Sequence, residues 1–126
     1  MRYQELFERS QKERKQGLES DQFFTRPEVA KQFAEWVKSQ PFYSKVETVI
    51  EPSAGNKDIA KHFPGAHLYD LSPKHSDIKQ QDWLDYSHEG GDNVLVVGNP
   101  PFGRNNKLAI QFINKAAEFA DWIAFI

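Results

Sequence analysis

Two hydrophobic periods alternate along this chain. Val29, Ala30, Phe33, Ala34 and Val37 recur at three- to four-residue spacing, which predicts a helix over about residues 25–38. Thr25-Arg26-Pro27-Glu28 has capping-box spacing with proline in the first turn, and Pro41 ends the helix. Residues 46–51 alternate and then run apolar, a first strand, and Pro52-Ser53-Ala54-Gly55-Asn56 is a small-residue turn. Residues 58–63 read as a short helix stopped by Pro64-Gly65, and residues 66–70 as a second strand ending in an acid. Residues 71–81 are polar and are expected to hold a short helix. A third strand is placed near residues 78–83, on a faint pattern. Residues 93–98 form a Val/Leu-rich strand. Residues 105–119 read as a helix with Leu108, Ala109, Phe112, Ile113 and Ala116 inward, and residues 122–126 as a further buried strand.

Strands alternating with helices predict a parallel α/β sheet with right-handed crossovers. Ligands of such sheets bind outside the carboxyl ends of the strands. The turn after Glu51, the acid Asp70 and the corner at Asn99 all fall at carboxyl ends, so all three are expected to face one crevice.

The corner is the most informative stretch. After Val94-Leu95-Val96-Val97 the chain reads Gly98-Asn99-Pro100-Pro101-Phe102. Neither proline donates a backbone hydrogen bond, and each fixes φ. The residue before a proline is pushed into extended geometry. The carbonyls of Gly98, Asn99 and Pro100 are therefore expected to be held in place as acceptors, beside the Asn99 amide and the flat ring of Phe102. Acceptors for two N–H bonds and a ring to stack on suit a planar amino group.

At 126 residues and 14.6 kDa, one domain is expected over residues 21–126, preceded by an N-terminal helical arm over residues 1–20. The arm carries charges of both signs and would dock through Tyr3, Leu6 and Phe7. A net charge of −2 gives no global nucleic-acid signature. The absence of cysteine excludes disulfides and thiolate metal sites, and suits a cytoplasmic protein. His62, His67, His75 and His88 show no metal spacing and read as surface residues, so no metal is expected. No apolar run approaches the roughly 18–20 residues of a membrane span, and the charged N-terminus is unlike a secretory signal.

The order of these features resembles the class I S-adenosylmethionine-dependent methyltransferases, specifically the amino methyltransferases acting on adenine, with the motif order of the Taq-type gamma group. The resemblance covers residues 21–126. It implies a Rossmann-like α/β fold with a mostly parallel sheet, S-adenosyl-L-methionine as cofactor, and methyl transfer to the exocyclic amino nitrogen of adenine in DNA. Phe23, Phe24, Thr25, Arg26 and Pro27 look like the segment that closes over the methionine part of the cofactor. Glu51, Pro52, Ser53, Ala54, Gly55 and Asn56 look like the cofactor loop. Asp70 stands where the family holds the ribose hydroxyls, and Gln81-Asp82-Trp83 looks like the segment whose acid accepts from the cofactor's adenine. Asn99, Pro100, Pro101 and Phe102 match the catalytic motif, with Asn99 also bordering the cofactor. For Phe23, Phe24 and Phe102 the plainer alternative is a core position. For Arg104 and Lys107 the alternatives are phosphate contacts and solvated helix-end charges.

Two departures stand out. Lys57 replaces a glycine of the family's loop, where glycine allows positive φ and close approach of the ligand. Its side chain would pair with the cofactor carboxylate, point to solvent, or block the pocket. The sequence also stops within the fifth of seven expected strands. An uncovered edge strand tends to pair, so a homo-oligomer or a missing C-terminal half is expected. The same amino-group chemistry serves RNA adenines and protein glutamine amides. A third reading is a non-catalytic binding or assembly subunit.

Overall fold

The computed structural model describes Glu5 and residues 25–126. The expected N-terminal arm, with Tyr3, Leu6 and Phe7, and the aromatic pair Phe23 and Phe24 lie outside the described residues.

The chain is α/β. Five parallel strands form one sheet among the described residues: β1 (Thr48–Glu51), β2 (His67–Asp70), β3 (Lys79–Gln80), β4 (Val94–Gly98) and β5 (Trp122–Phe125). Their spatial order is β3-β2-β1-β4-β5. Among the described residues two α-helices flank them, α1 (Pro27–Ser39) and α2 (Lys107–Ala117). The chain builds outward from β1 to one side, then returns to place β4 on its other side. The direction of winding thus reverses between β1 and β4, a strand order compatible with a Rossmann-like fold.

All five residues of β4 are buried. Val94 and Val96 face Leu108, Phe112 and Ala116 of α2, whereas Leu95 and Val97 face Ala30, Ala34 and Val37 of α1. Period-2 alternation with both faces covered explains an unbroken apolar run. β1 pairs with β4 through Thr48–Val94, Val49–Leu95 and Ile50–Val96, and with β2 through Ile50–His67 and Glu51–Leu68. Asp121 clamps the start of the β4–β5 pair. Its carboxylate accepts from the Val94 N–H at 2.8 Å, and its own N–H donates to the Val94 carbonyl at 2.9 Å.

Several expectations shift in detail. Thr25 does not cap α1: Arg26 is the N-cap residue, no side chain caps the end, and the Thr25 hydroxyl is used elsewhere. Pro41 ends the helix and also opens a 3-10 turn (Pro41–Lys45). The short helix expected after the first turn is only a 3-10 turn, Ala60–His62. Residues 71–78 hold bends and turns in place of a helix. The third strand is cut to two residues, because Asp82 turns the chain into a 3-10 turn (Trp83–Asp85). The second long helix begins at Lys107, not residue 105, since Asn105 and Asn106 both take left-handed φ (55° and 60°). Val29 and Ile113, expected inside, lie at the rims of their helix faces and are 39% and 42% exposed. No described helix is long and apolar enough to cross a membrane.

Trp83 anchors the α2 face of the sheet. It is fully buried, stacks on Tyr86 at 4.7 Å and meets Phe119 edge-on at 5.8 Å. Its indole N–H donates to the Phe112 carbonyl at 3.2 Å. Trp83→Ala removes that filler and is expected to cost about 3–5 kcal/mol, measured by urea unfolding followed by circular dichroism. A loss below about 1 kcal/mol would contradict this anchoring role.

Candidate functional site

Pairing of β1 with β4 sets two loops side by side. Thr25, Glu51, Ser53, Ala54, Gly55 and Asn99 line one small, half-open cleft. Asn56, Asp58 and Ile59 complete its wall. In the sequence Asp58 and Ile59 carry no site signal beyond their position directly after the small-residue turn.

The loop after β1 is held by backbone bonds and one acid. The Ala54 N–H donates to the Tyr69 carbonyl at 2.9 Å, and the Lys57 N–H to the Ala54 carbonyl at 2.8 Å. Asp70, at the carboxyl end of β2, accepts from the Gly55 N–H on one oxygen and the Ser72 N–H on the other, both at 2.9 Å. It therefore fastens the loop, and each oxygen keeps a second lone pair. Gly55 has φ +53°, and a Cβ there would meet nothing within 4 Å, so the loop leaves open space above it. Lys57 itself adopts φ +68°, the backbone conformation for which glycine was expected. Its ammonium pairs with Asp77, so the side chain neither lines nor blocks the cleft.

At the corner after β4, the Asn99 side-chain N–H₂ donates to the Thr25 hydroxyl at 3.1 Å. That contact orients the amide and leaves Oδ1 as its acceptor. The expectation of three waiting backbone carbonyls is corrected in part. The Gly98 carbonyl accepts from the Ile126 N–H at 3.0 Å, and the Asn99 carbonyl from the Ser53 hydroxyl at 3.5 Å. Pro100 is buried and Pro101 half-buried. Phe102 is 41% exposed, a ring surface and not a core filler. Its carbonyl accepts from the Leu108 and Ala109 N–H groups at 3.1 and 3.3 Å, which ties the corner to the first turn of α2.

Asp70, Pro100, Pro101 and Phe102 do not line the cleft, and other expected residues also fall outside it. Pro27 is exposed in the first turn of α1. Pro52 is buried. Asp82 accepts from the Leu84 N–H at 3.0 Å and caps a 3-10 turn. Trp83 is a core residue with no surface for a ligand, which corrects its assignment to the cofactor. Phe24 lies outside the described residues. Two histidines expected at the surface are half-buried: His62, and His88, which stacks on Phe119 at 4.6 Å and bonds the Tyr86 hydroxyl at 3.0 Å. Burial pushes the Tyr86 hydroxyl up to about 12. Among the described residues no three His, Asp or Glu side chains converge as metal ligands.

Glu51 is the unusual group. It is 2% exposed, and its Oε1 has no hydrogen-bond partner. Burial pushes its carboxyl well above the ordinary carboxylate range, and the charges of Asp70 and Asp58 push it further, against an opposing backbone bond at Ala60. The folded protein then keeps a proton that the unfolded chain releases. The stability tied to neutral Glu51 is full below the ordinary value of 4.5 and is lost as pH rises toward the raised folded value.

Two outcomes follow for stability. Glu51→Gln should melt close to the native chain at about pH 4 and above it at about pH 8, with the gap widening between. Calorimetric melts across pH check this, and a gap independent of pH would contradict it. Lys57→Gly relieves a left-handed side-chain position and loses a half-exposed ion pair. Its stability should stay within about 1 kcal/mol of the native chain, measured by chemical denaturation. A loss above about 2 kcal/mol would show that Lys57 holds more than Asp77.

No protein-family model matches this chain, and no solved structure matches it. Among curated proteins it is similar to Protein ENHANCED DOWNY MILDEW 2 of Arabidopsis thaliana, with 41% identity over 56 residues. The matched stretch is 40% of this chain and 4% of the plant protein's length.

Proposed function

We propose that this chain is the catalytic domain of an adenine-specific DNA methyltransferase of the class I fold, transferring a methyl group from S-adenosylmethionine to the exocyclic amino nitrogen. The observation that carries the reading is the Asn99 amide, held by Thr25 at 3.1 Å beside the β1 loop. The reversal of strand order between β1 and β4 supports it, because crevices at such points take nucleotide ligands.

The residues present fit the cofactor. The open space above Gly55, the acceptor lone pairs of Asp70 and the unpartnered buried oxygen of Glu51 offer a nucleoside and its charged tail complementary groups. When bound, S-adenosylmethionine supplies an electrophilic methyl on a sulfonium. The loop from Ser53 to Gly55 would hold its tail, and Asp70 its ribose hydroxyls.

Amino-group methylation is an in-line displacement, so the protein's work is chiefly positioning. The nitrogen of adenine is conjugated and weakly nucleophilic. Asn99 Oδ1 and the Pro100 carbonyl would accept its two N–H bonds and favour a pyramidal nitrogen with its lone pair toward the methyl. The same acceptors stabilise positive charge as it develops there. The exposed face of Phe102 would stack on the base. In duplex DNA the base must first leave the stack.

Isothermal titration with S-adenosylmethionine should show micromolar binding, about −8 kcal/mol. Asn99→Ala should lower methyl transfer to an adenine-containing duplex by about 10²–10³-fold with cofactor affinity nearly unchanged. No cofactor binding, or transfer that survives the substitution, would overturn the reading. Labelling of RNA or of a glutamine peptide in place of DNA would reassign the substrate.

A further inference from the structure

Past the cleft, the corner after β4 runs on into an exposed cationic surface. Residues 93–117 hold Arg104, Lys107 and Lys115 and no acid, in a chain whose net charge is −2. Phe102, Arg104, Asn105, Asn106 and Lys107 are all exposed. They sit on a loop of fixed shape. Gly103, Asn105 and Asn106 take left-handed φ of 67°, 55° and 60°. The Phe102 carbonyl is bonded to the first turn of α2, and a Cβ at position 103 would stand 2.8 Å from the Leu108 Cβ, so the loop closes on α2 only with glycine there. The Lys107 N–H donates to the Arg104 carbonyl, which sets the two cations at the ends of one tight turn. Lys115, by contrast, pairs with Glu118. Fold stability does not call for cations at this turn, because Lys107 opens α2, where the helix dipole disfavours positive charge. On the cofactor side the charges are of the other sign: Asp58 is in the cleft wall, and Asp70 is bonded to Gly55. A polyanion is therefore repelled from the cleft and attracted to the turn.

We propose, on the reading that an adenine base of a nucleic acid is the substrate, that Arg104 and Lys107 grip the phosphodiester backbone next to the base that Phe102 receives. Arginine presents a planar fork of donors that matches a phosphate, and lysine adds a compact point charge. Asn105 and Asn106 supply side-chain amide donors on the same turn. A base stacked on the exposed Phe102 ring brings its own phosphates toward the residues that follow in the chain. Contacts of this kind position the strand and carry no sequence information. The phosphodiester chemistry is common to DNA and RNA. Each phosphate that is neutralised releases condensed counterions, so the two cations together account for a salt slope of about 1.8 on a duplex. A local patch of this kind lets a chain of net negative charge hold a polyanion at one place and in one orientation.

Fluorescence anisotropy of a labelled, adenine-containing duplex, titrated with the full chain at several salt concentrations, tests this. The double variant Arg104→Gln, Lys107→Gln should flatten the slope of log affinity against log salt by about 1.8. Between about 50 and 200 mM salt the native affinity should then fall about tenfold further than the variant's. Both substitutions are at exposed positions, and a thermal melt checks that the variant is folded. Lys31→Gln, exposed on α1 over the opposite face of the sheet, should leave the slope where it is. An RNA of the same sequence, run alongside, identifies the source of the phosphates: flattening seen with RNA alone supports the grip and assigns it to RNA. A slope that the double variant retains, or a native chain that binds neither nucleic acid, would overturn this inference. Methyl transfer is measured separately on the same duplex. Transfer with an unchanged slope leaves the proposed function standing without the grip, whereas a lost slope with no transfer by the native chain leaves the grip standing without the proposed function.

Discussion

Everything at the cleft depends on the parallel pairing of β1 with β4. Three residue pairs, Thr48–Val94, Val49–Leu95 and Ile50–Val96, bring the carboxyl ends of two strands 46 residues apart in sequence to adjacent positions. Only then do the turn that begins at Glu51 and the corner at Asn99 become neighbours. The pair is stable because it sits at the centre of the sheet. α1 covers one face of β4 and α2 the other, so water reaches neither.

Around that pair the site is stiffened by polar contacts that cross between elements. Asp70 ties the β1 loop to the end of β2 through two backbone N–H groups. Ser53 reaches the Asn99 carbonyl, and Thr25 reaches its side chain from the segment before α1. Phe102 joins the corner to α2 through its carbonyl. Each contact removes freedom from a side chain or loop that would otherwise need to be ordered by a ligand, and preorganisation of this kind favours binding and positioning.

The same place carries the least comfortable features of the fold. Lys57 holds a left-handed backbone, and Glu51 is a buried acid beside two other acids. Strain and unpaired polar groups tend to collect at functional sites, where stability is exchanged for ligand recognition. Left-handed non-glycine backbone also occurs at Asn93, Asn105 and Asn106, and buried atoms without a partner at His62 and Gln111. The core is a ring cluster around Trp83 on one side and small residues of α1 on the other.

The chain's own pattern determined the helices, the strands and the corner. The run from Val94 to Val97 has both faces covered, so its hydrophobicity was continuous and easy to read. Ala30, Ala34 and Val37 lie on one helical stripe, and so do Leu108, Phe112 and Ala116. Pro100 and Pro101 declared a stop wherever they were placed. Local signals failed where tertiary contacts chose between equal local options. Thr25 had a capping position available, yet its hydroxyl serves Asn99, 74 residues away. The third strand was faint because only Lys79 and Gln80 pair, and both are exposed. Trp83 looked like part of a ligand segment but fills the core, and the Asp82 beside it caps the turn that sends the ring there. The state of Glu51 was invisible in the sequence. A carboxyl next to proline is only a carboxyl until strand pairing buries it and sets Asp70 and Asp58 beside it. Composition and periodicity act over a few residues and decide which elements form. Electrostatics and hydrogen bonding act through space, and only the folded sheet decides which groups they join.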